Sequence, residues 1–410
     1  LKKPERKFEM IDQLTGNKIT LVLKEQADRL LEDLSFLESW DQLIESNQIK
    51  SSIFQKSAFL RPWFRAKRVE YAPIILTEYR EEKLTGLLVL AVSVDHIDSP
   101  NKKTKIVGAG EYDAEYQGYL CSHDQPVAFL EKAFGELFRY FPKAQISLRF
   151  FLDEEVVKNL KLSPKLKKWL TVQEYSRPIA ALQTPEFDKI LRKRHLKAKI
   201  NRFNRAGNVE LEVVHERKRL MEVLPQVMLL YDFRQGALFN KYPSAKFLNE
   251  NPLFVELLDS GTMHFSILKL NDEIASCIVC YHCNKWMHLA GMITYSPFFA
   301  KLSPGLVHIH MLGDSFRSQG YEFFDLTPGY DGYKDKFATS NDVVCELTFC
   351  SNSTAQIAKK AKVAFQDILV RKGIRPMSFD LEIKKKKYLL GKKAKGIFRA
   401  AGNLIRPSKK

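Results

Sequence analysis

TyrSerProPhePheAlaLysLeuSerProGlyLeuValHisIleHisMet, residues 295–311, is the stretch from which the rest of the chain is read. A predicted strand ends near Thr294 and a loop follows. Ser303-Pro304-Gly305 then opens a helix carrying Leu306, Ile309, Leu312 and Phe316 on one face. Gly320 stands where a C-terminal cap glycine belongs. The first turn of a helix leaves backbone N–H groups unpaired and carries partial positive charge, so a phosphate or diphosphate binds there without a basic side chain. Gly305 lets a ligand approach the backbone closely. The amides around Leu302, Ser303, Gly305, Leu306 and Val307 are thus a candidate anion cradle, with an ordinary Pro/Gly helix start as the plain alternative.

Immediately downstream stands PhePheAspLeuThrProGlyTyrAspGlyTyrLysAspLysPhe (323–337). An apolar strand runs into Asp325, and a Gly-containing loop then presents Tyr330, Tyr333 and Lys334. Acid, phenol and ammonium at a strand end suit proton transfer and anion binding. Upstream, Thr184 caps and Pro185 opens a helix that stops at Gly207 and holds Arg192, Lys193, Arg194, Lys197, Lys199, Arg202 and Arg205. Such a run is either a solvated face or the lining of an anionic site.

Farther out, the spacing predicts a hairpin over 1–24, helix over 25–47, a short helix over 54–64, strands at 72–79, 84–94 and 105–108, helix over 124–141 and strand over 145–151. The second half repeats this order: helices 185–206 and 216–233, strands 263–270, 274–282 and 286–293, helix 306–319, strands 321–327 and 343–350. Helices, then a strand meander, then a helix, then strands is an α+β pattern with a mixed sheet. Pro178 and Pro185 bracket an expected connection between the halves.

The whole chain has 410 residues, 45% hydrophobic and 28% charged, which excludes global disorder and suggests two or three domains. The longest smooth apolar run, Gly86–Val94, is about half of a membrane span. The charged start, LysLysProGluArgLys, has no apolar signal-peptide region. The net charge is +17, but residues 353–410 hold 17 Lys and Arg against three acids, which leaves +3 for residues 1–352. A helix is expected over 354–371, capped by Ser353 or Thr354. Residues 384–406 then form a basic amphipathic segment suited to an anionic membrane face, with an acidic protein or nucleic-acid partner and a plainly solvated tail as the alternatives. The six cysteines form no disulfide framework in so long a chain and fit a reducing, cytoplasmic setting. Cys277-x2-Cys280-x2-Cys283 on a strand places Cys280 on the face opposite the other two, so no metal is expected there. No Gly-x-Ser-x-Gly, His-Glu-x-x-His or Walker loop occurs.

ArgHisLeuLysAlaLysIleAsnArgPheAsnArgAlaGlyAsnValGluLeu (194–211), SerProGly (303–305) and the 323–337 stretch together resemble the GNAT acyltransferase superfamily. Within it they look like the tandem-domain branch. That branch includes the acetyltransferase domain found beside bacterial exopolysaccharide and cellulose biosynthesis and the Fem-type peptidoglycan aminoacyl transferases. SerIlePheGlnLysSerAlaPheLeuArgProTrp (52–63) and ValGlyAlaGlyGluTyrAspAlaGluTyr (107–116) are similar to segments of its first domain. Of the single-domain phosphate loop, Gln/Arg-x-x-Gly-x-Gly/Ala, only Gly305 remains.

The resemblance implies two tandem GNAT-like domains, 1–180 and 181–352, each a mixed, mainly antiparallel sheet flanked by helices, followed by a basic helical tail, 353–410. It implies N-acyl transfer from acyl-CoA, or from an acyl carrier protein, to an amine of an envelope, polysaccharide or lipid precursor, without a metal. Backbone amides of a splayed strand, 286–293, would polarise the thioester carbonyl. His282, His288 and Asp325 are the candidate bases, and Tyr330 or Tyr333 would return a proton to the thiolate. Lys334, Arg234 and Arg194 would bind anionic groups of donor or acceptor. A Fem-type, aminoacyl-tRNA-dependent transferase and a non-catalytic, membrane-associated scaffold are the two alternatives.

Overall fold

Two-residue turns set the strand meanders. Glu81 and Glu82 (φ +48° and +65°), and Asn271 and Asp272 (φ +51° and +66°), are left-handed, the twist that joins antiparallel strands most tightly. In the computed structural model the described residues are 9–11, 18–46, 52–122, 125–239, 241–242, 252–329 and 332–372. The chain divides into two compact units, residues 1–356 and 357–410.

The first unit holds a sheet of fourteen strands among the described residues. In its first half, β1 (Glu9–Ile11), β2 (Lys18–Leu23), β3 (Tyr71–Arg80) and β4 (Lys83–Ser93) are antiparallel neighbours. β5 (Thr104–Gly108) and the two-residue β6 (Leu120–Cys121) pair with β4, and β7 (Ala144–Phe151) lies parallel to β5. The second half mirrors this. β9 (Val209–Val214), β10 (Met263–Leu270), β11 (Glu273–Cys283) and β12 (Trp286–Tyr295) are antiparallel, and β13 (Phe323–Asp325) lies parallel to β12. Between the halves run β8 (Leu170–Ala181) and β14 (Ser340–Cys350). β14 pairs with β7 on one side and β8 on the other, and β8 pairs with β13. The two halves therefore share one uninterrupted sheet.

The helices are α1 (Lys24–Leu30), α2 (Leu34–Ser46), α3 (Ser57–Lys67), the short α4 (Val94–Ile97), α5 (Pro126–Tyr140), α6 (Glu154–Leu162), α7 (Pro185–Leu191), α8 (Arg194–Asn204), α9 (Arg217–Phe239), α10 (Pro252–Asp259), α11 (Pro304–Ser318) and α12 (Ser353–Arg371). The predicted 25–47 helix is two helices because Asp33 accepts the Phe36 amide at 2.9 Å and starts a new one. The predicted 185–206 helix is likewise broken, at Arg192–Lys193. The expected connection at Arg177–Pro185 is strand as far as Ala181, with Pro178 inside β8 opposite Asn341. α12 is capped by Asn352, whose Oδ1 accepts the Thr354 amide at 2.8 Å, rather than by Ser353 or Thr354. The 384–406 segment lies outside the described residues.

One core joins the halves: Trp40, Phe54 and Trp63 of the first pack with Leu224, Phe265 and Tyr281 of the second. The opposite face of the sheet carries separate cores, one under α5 and α6 and one under α7 and α11. Cys277 and Cys283 lie in the shared core and Cys280 in the one under α11, as strand alternation requires.

Candidate active site

Side chains from both halves meet on one carboxylate. Along β13 the faces alternate: Phe324 packs under α11, so Asp325 turns into the opposite layer, fully buried. Its Oδ2 accepts hydrogen bonds from the Tyr116 hydroxyl at 2.6 Å and from His288 Nδ1 at 2.9 Å, and its Oδ1 accepts the Thr327 amide at 2.8 Å. A carboxylate only accepts, so Nδ1 of His288 carries a proton, and in the neutral ring Nε2 presents the lone pair. The His288 ring is walled by Phe54, Tyr116 and Trp286, with centroids 6.0, 5.8 and 6.1 Å away.

Burial works against charge on Asp325. The His288 hydrogen bond and charge, the Arg177 charge and the Tyr116 hydroxyl outweigh it and hold the carboxyl below its ordinary range. Arg177, on β8, stands opposite Asp342 in the β14 register and forks its carboxylate, with Nε 2.7 Å from Oδ1. Its NH1 is 3.6 Å from Asp325, and the guanidinium lies 5.3 and 5.5 Å from the Tyr116 and Trp286 ring centres. The same burial drives the Tyr116 phenol well above its ordinary value, with the Asp325 charge adding to it, so the phenol stays a donor. Glu115 beside it is buried too. Desolvation raises its pKa despite Arg149, whose NH2 is 3.4 Å away.

The dyad stands at the end of a ladder. β12 and β13 pair only from Trp286–Phe323 to His288–Asp325. Beyond that rung β12 continues to Tyr295, held by β11 alone, and its register slips opposite Ile278–Cys280. Alternate N–H groups of β12 beyond His288 therefore face an edge with no partner strand among the described residues.

Ser303 precedes α11 with φ +57°, and its hydroxyl accepts the Lys199 ammonium at 2.8 Å. Its amide donates to Ala300, and the Leu306 and Val307 amides donate to the Ser303 carbonyl at 3.1 and 3.2 Å. Leu302 packs beside Phe203 and Val307. Of the expected cradle, Gly305 keeps an amide without a partner among the described residues, and a Cβ there would meet only the Tyr295 ring, at 4.0 Å. Of the candidate cradle, the Gly305 backbone and the nearby Lys199 ammonium are thus the groups left to meet an anion.

The other candidates lie apart from the dyad or serve the framework. His282 pairs with Met287 of the α11 core, whereas His288 pairs with Tyr281 of the shared core, so the sheet separates the two imidazoles. The His282 ring bonds the Gly261 carbonyl. Tyr333 packs on the α11 core, and Tyr330 lies outside the described residues. Lys334 is buried and donates to the Thr327 carbonyl, the Thr327 hydroxyl and the Pro328 carbonyl at 3.1–3.2 Å, closing the loop after Asp325. Arg234 donates to the Ile293 carbonyl of β12, and Arg194 is exposed on α8. Sequence reasoning missed Tyr116, Glu115, Arg177 and Asp342, and named Lys199 only as one of a basic run. Tyr116 and Glu115 end the Gly-rich 107–116 segment, and no spacing links them to Asp325. Among the described residues no three His, Cys, Asp or Glu side chains are grouped to hold a metal, and no helix is long and apolar enough to cross a membrane.

Residues 191–335 match the acetyltransferase (GNAT) domain. No curated protein matches the sequence. Among solved structures, FemX is similar at 12% identity over 78% of this chain and 97% of its own, with a TM-score of 0.52. L-PGS from Bacillus licheniformis is 14% identical over 82% and 96%, TM-score 0.48. A tandem GNAT protein from the clavulanic acid biosynthesis pathway is 8% identical over 82% and 99%, TM-score 0.46. A matched GNAT segment, its β12–β13 split and a first half of like order agree: residues 191–335 match a GNAT acetyltransferase domain, and the chain as a whole has a fold similar to that of FemX.

Proposed function

We propose that the protein is an N-acyltransferase that moves an acyl group from a thioester to an amine, with His288 as general base. The observation that carries this reading is the Asp325–His288 pair on the last rung before β12 leaves β13. Asp325 fixes the tautomer, and Nε2 takes the proton as the amine nitrogen attacks the thioester carbonyl. Amides of the unpaired β12 edge stabilise the oxyanion. As the tetrahedral adduct collapses the C–S bond breaks, and the imidazolium returns its proton to the leaving thiolate. Amide, thiol and neutral imidazole result. The donor's phosphates lie at Gly305 and Lys199. An amine on an envelope, polysaccharide or lipid precursor is the proposed acceptor. The basic 353–410 segment would hold the enzyme at an anionic cytoplasmic surface, where such precursors collect.

The test is thiol release from acetyl-CoA and longer acyl-CoAs in the presence of a panel of amines. His288→Gln is expected to lower kcat by about 10²–10⁴-fold while CoA still binds. Full activity in His288→Gln, or no thiol release with any amine, overturns the reading.

A further inference from the structure

α8 turns an unneutralised stripe of cations to solvent. Its inner side, Leu196 and Phe203, is buried in the cores around α11, and Ile200 packs beside them. At 100° per residue Arg194, Lys197, Arg202 and Arg205 fall on the outer side, with only Ala198 and Asn201 among them, over about 16 Å. All four are exposed, and none makes an ion pair among the described residues. The sequence has no acid between Lys189 and Val209, and Asp188 just before it is taken by Arg317. By contrast, Arg219 on α9 is held by Glu212 and Glu222. Lys199 turns from the same helix to Ser303, so the stripe flanks the α11 start.

We infer that α8 is the docking face for an acidic acyl carrier protein, whose phosphopantetheine arm enters at Gly305. This rests on the thioester reading above and names the donor. CoA alone has few charges to meet, and Lys199 and Gly305 already serve its diphosphate, so four further cations ask for a larger polyanion. A membrane-seated helix needs an apolar outer face, but the apolar side of α8 is buried in the core. Carboxylates three and four residues apart on an acidic helix repeat at the spacing of this stripe. RNA would match the charge, but it carries its acyl group as an oxygen ester and has no pantetheine to fill the β12 edge.

Binding of the full-length protein is measured for a holo acyl carrier protein, its apo form lacking the arm, CoA, an RNA hairpin and phosphatidylglycerol vesicles. Each is repeated with R194E/K197E/R202E/R205E and with the milder R194Q/K197Q, both checked for an unchanged thermal transition. The holo carrier is expected to bind more weakly as salt rises, and about tenfold or more weakly after charge reversal, with CoA affinity unchanged. The inference is overturned if CoA binds and the carrier does not, if reversal leaves carrier binding intact, or if only RNA or vesicles lose affinity on reversal. Absence of binding by both CoA and holo carrier removes the thioester reading and the docking face together.

Discussion

Asp325 stays charged though buried because three hydrogen-bond donors and one guanidinium converge on it. The Tyr116 hydroxyl helps hold the carboxylate that orients His288, across 209 residues of sequence. Tyr116→Phe keeps the ring packing and removes that bond, so Asp325 becomes easier to protonate. Stability is expected to fall by about 1.5–3 kcal/mol, the worth of a hydrogen bond to a charged group. The acid limb of the kcat–pH profile should move to higher pH. An unmoved acid limb with lost stability would make Tyr116 a packing residue only. Buried histidines weigh on acid stability, His308, which burial depresses to about 3, and His264. Desolvation depresses His264 to about 4, and its Nε2 has no partner among the described residues. An unfolded histidine titrates near 6.5, so between those values the unfolded state binds more protons and stability falls as pH falls. At pH 5 this costs about 2 kcal/mol relative to pH 7. His264→Phe, packing edge-on against Phe316 as the imidazole does, should reduce the slope of melting temperature between pH 7 and 5.

At the scale of elements, the site depends on where β12 and α11 begin and end. Their sequence signals were legible. Alternation gave β10, β11 and β12, and Ser-Pro-Gly with the Leu306–Phe316 stripe gave α11. α4, β6, α6, β8 and α10 were not seen, and β9 showed only through the family resemblance at 194–211. β8, ThrValGlnGluTyrSerArgPro, mixes polar residues with a proline, a pattern that reads as a connection because its partners on both sides come from later in the chain. Gly305 offers a clean test of the helix start. A side chain has room there, so packing does not demand glycine. Gly305→Val should leave the thermal transition within about 0.5 kcal/mol of the parent, as expected of substitutions that meet no special contact. CoA affinity should fall about tenfold, measured by calorimetry. Equal affinity would place the phosphates elsewhere.

For the molecule as a whole, the shared sheet makes the two repeats interdependent. We propose that the repeats divide near residue 180 along the sequence, while β14, from the later repeat, fills the gap between β7 and β8. A fragment ending at Ala181 would leave both strands with open edges and lose the half of the shared core supplied by Phe265 and Tyr281. It is expected to give no cooperative thermal transition by circular dichroism; a cooperative melt with parent-like far-ultraviolet spectrum would show that the first repeat folds alone.

Local periodicity determined the α+β class, the repeated order of elements, the α11 start and the place of Asp325 at a strand end, while His288 was named, beside His282, only with the family resemblance. Those signals lie within a turn or a strand, where side-chain spacing maps directly onto a face. The meeting of Tyr116, Arg177 and Asp342 with that pair was decided only in three dimensions. Burial in a common core fixes which distant residues share one carboxylate, and no spacing along the chain encodes it. The fate of Lys334 was settled the same way: its ammonium reads as a ligand in sequence, and the fold commits it to the carbonyls of its own loop.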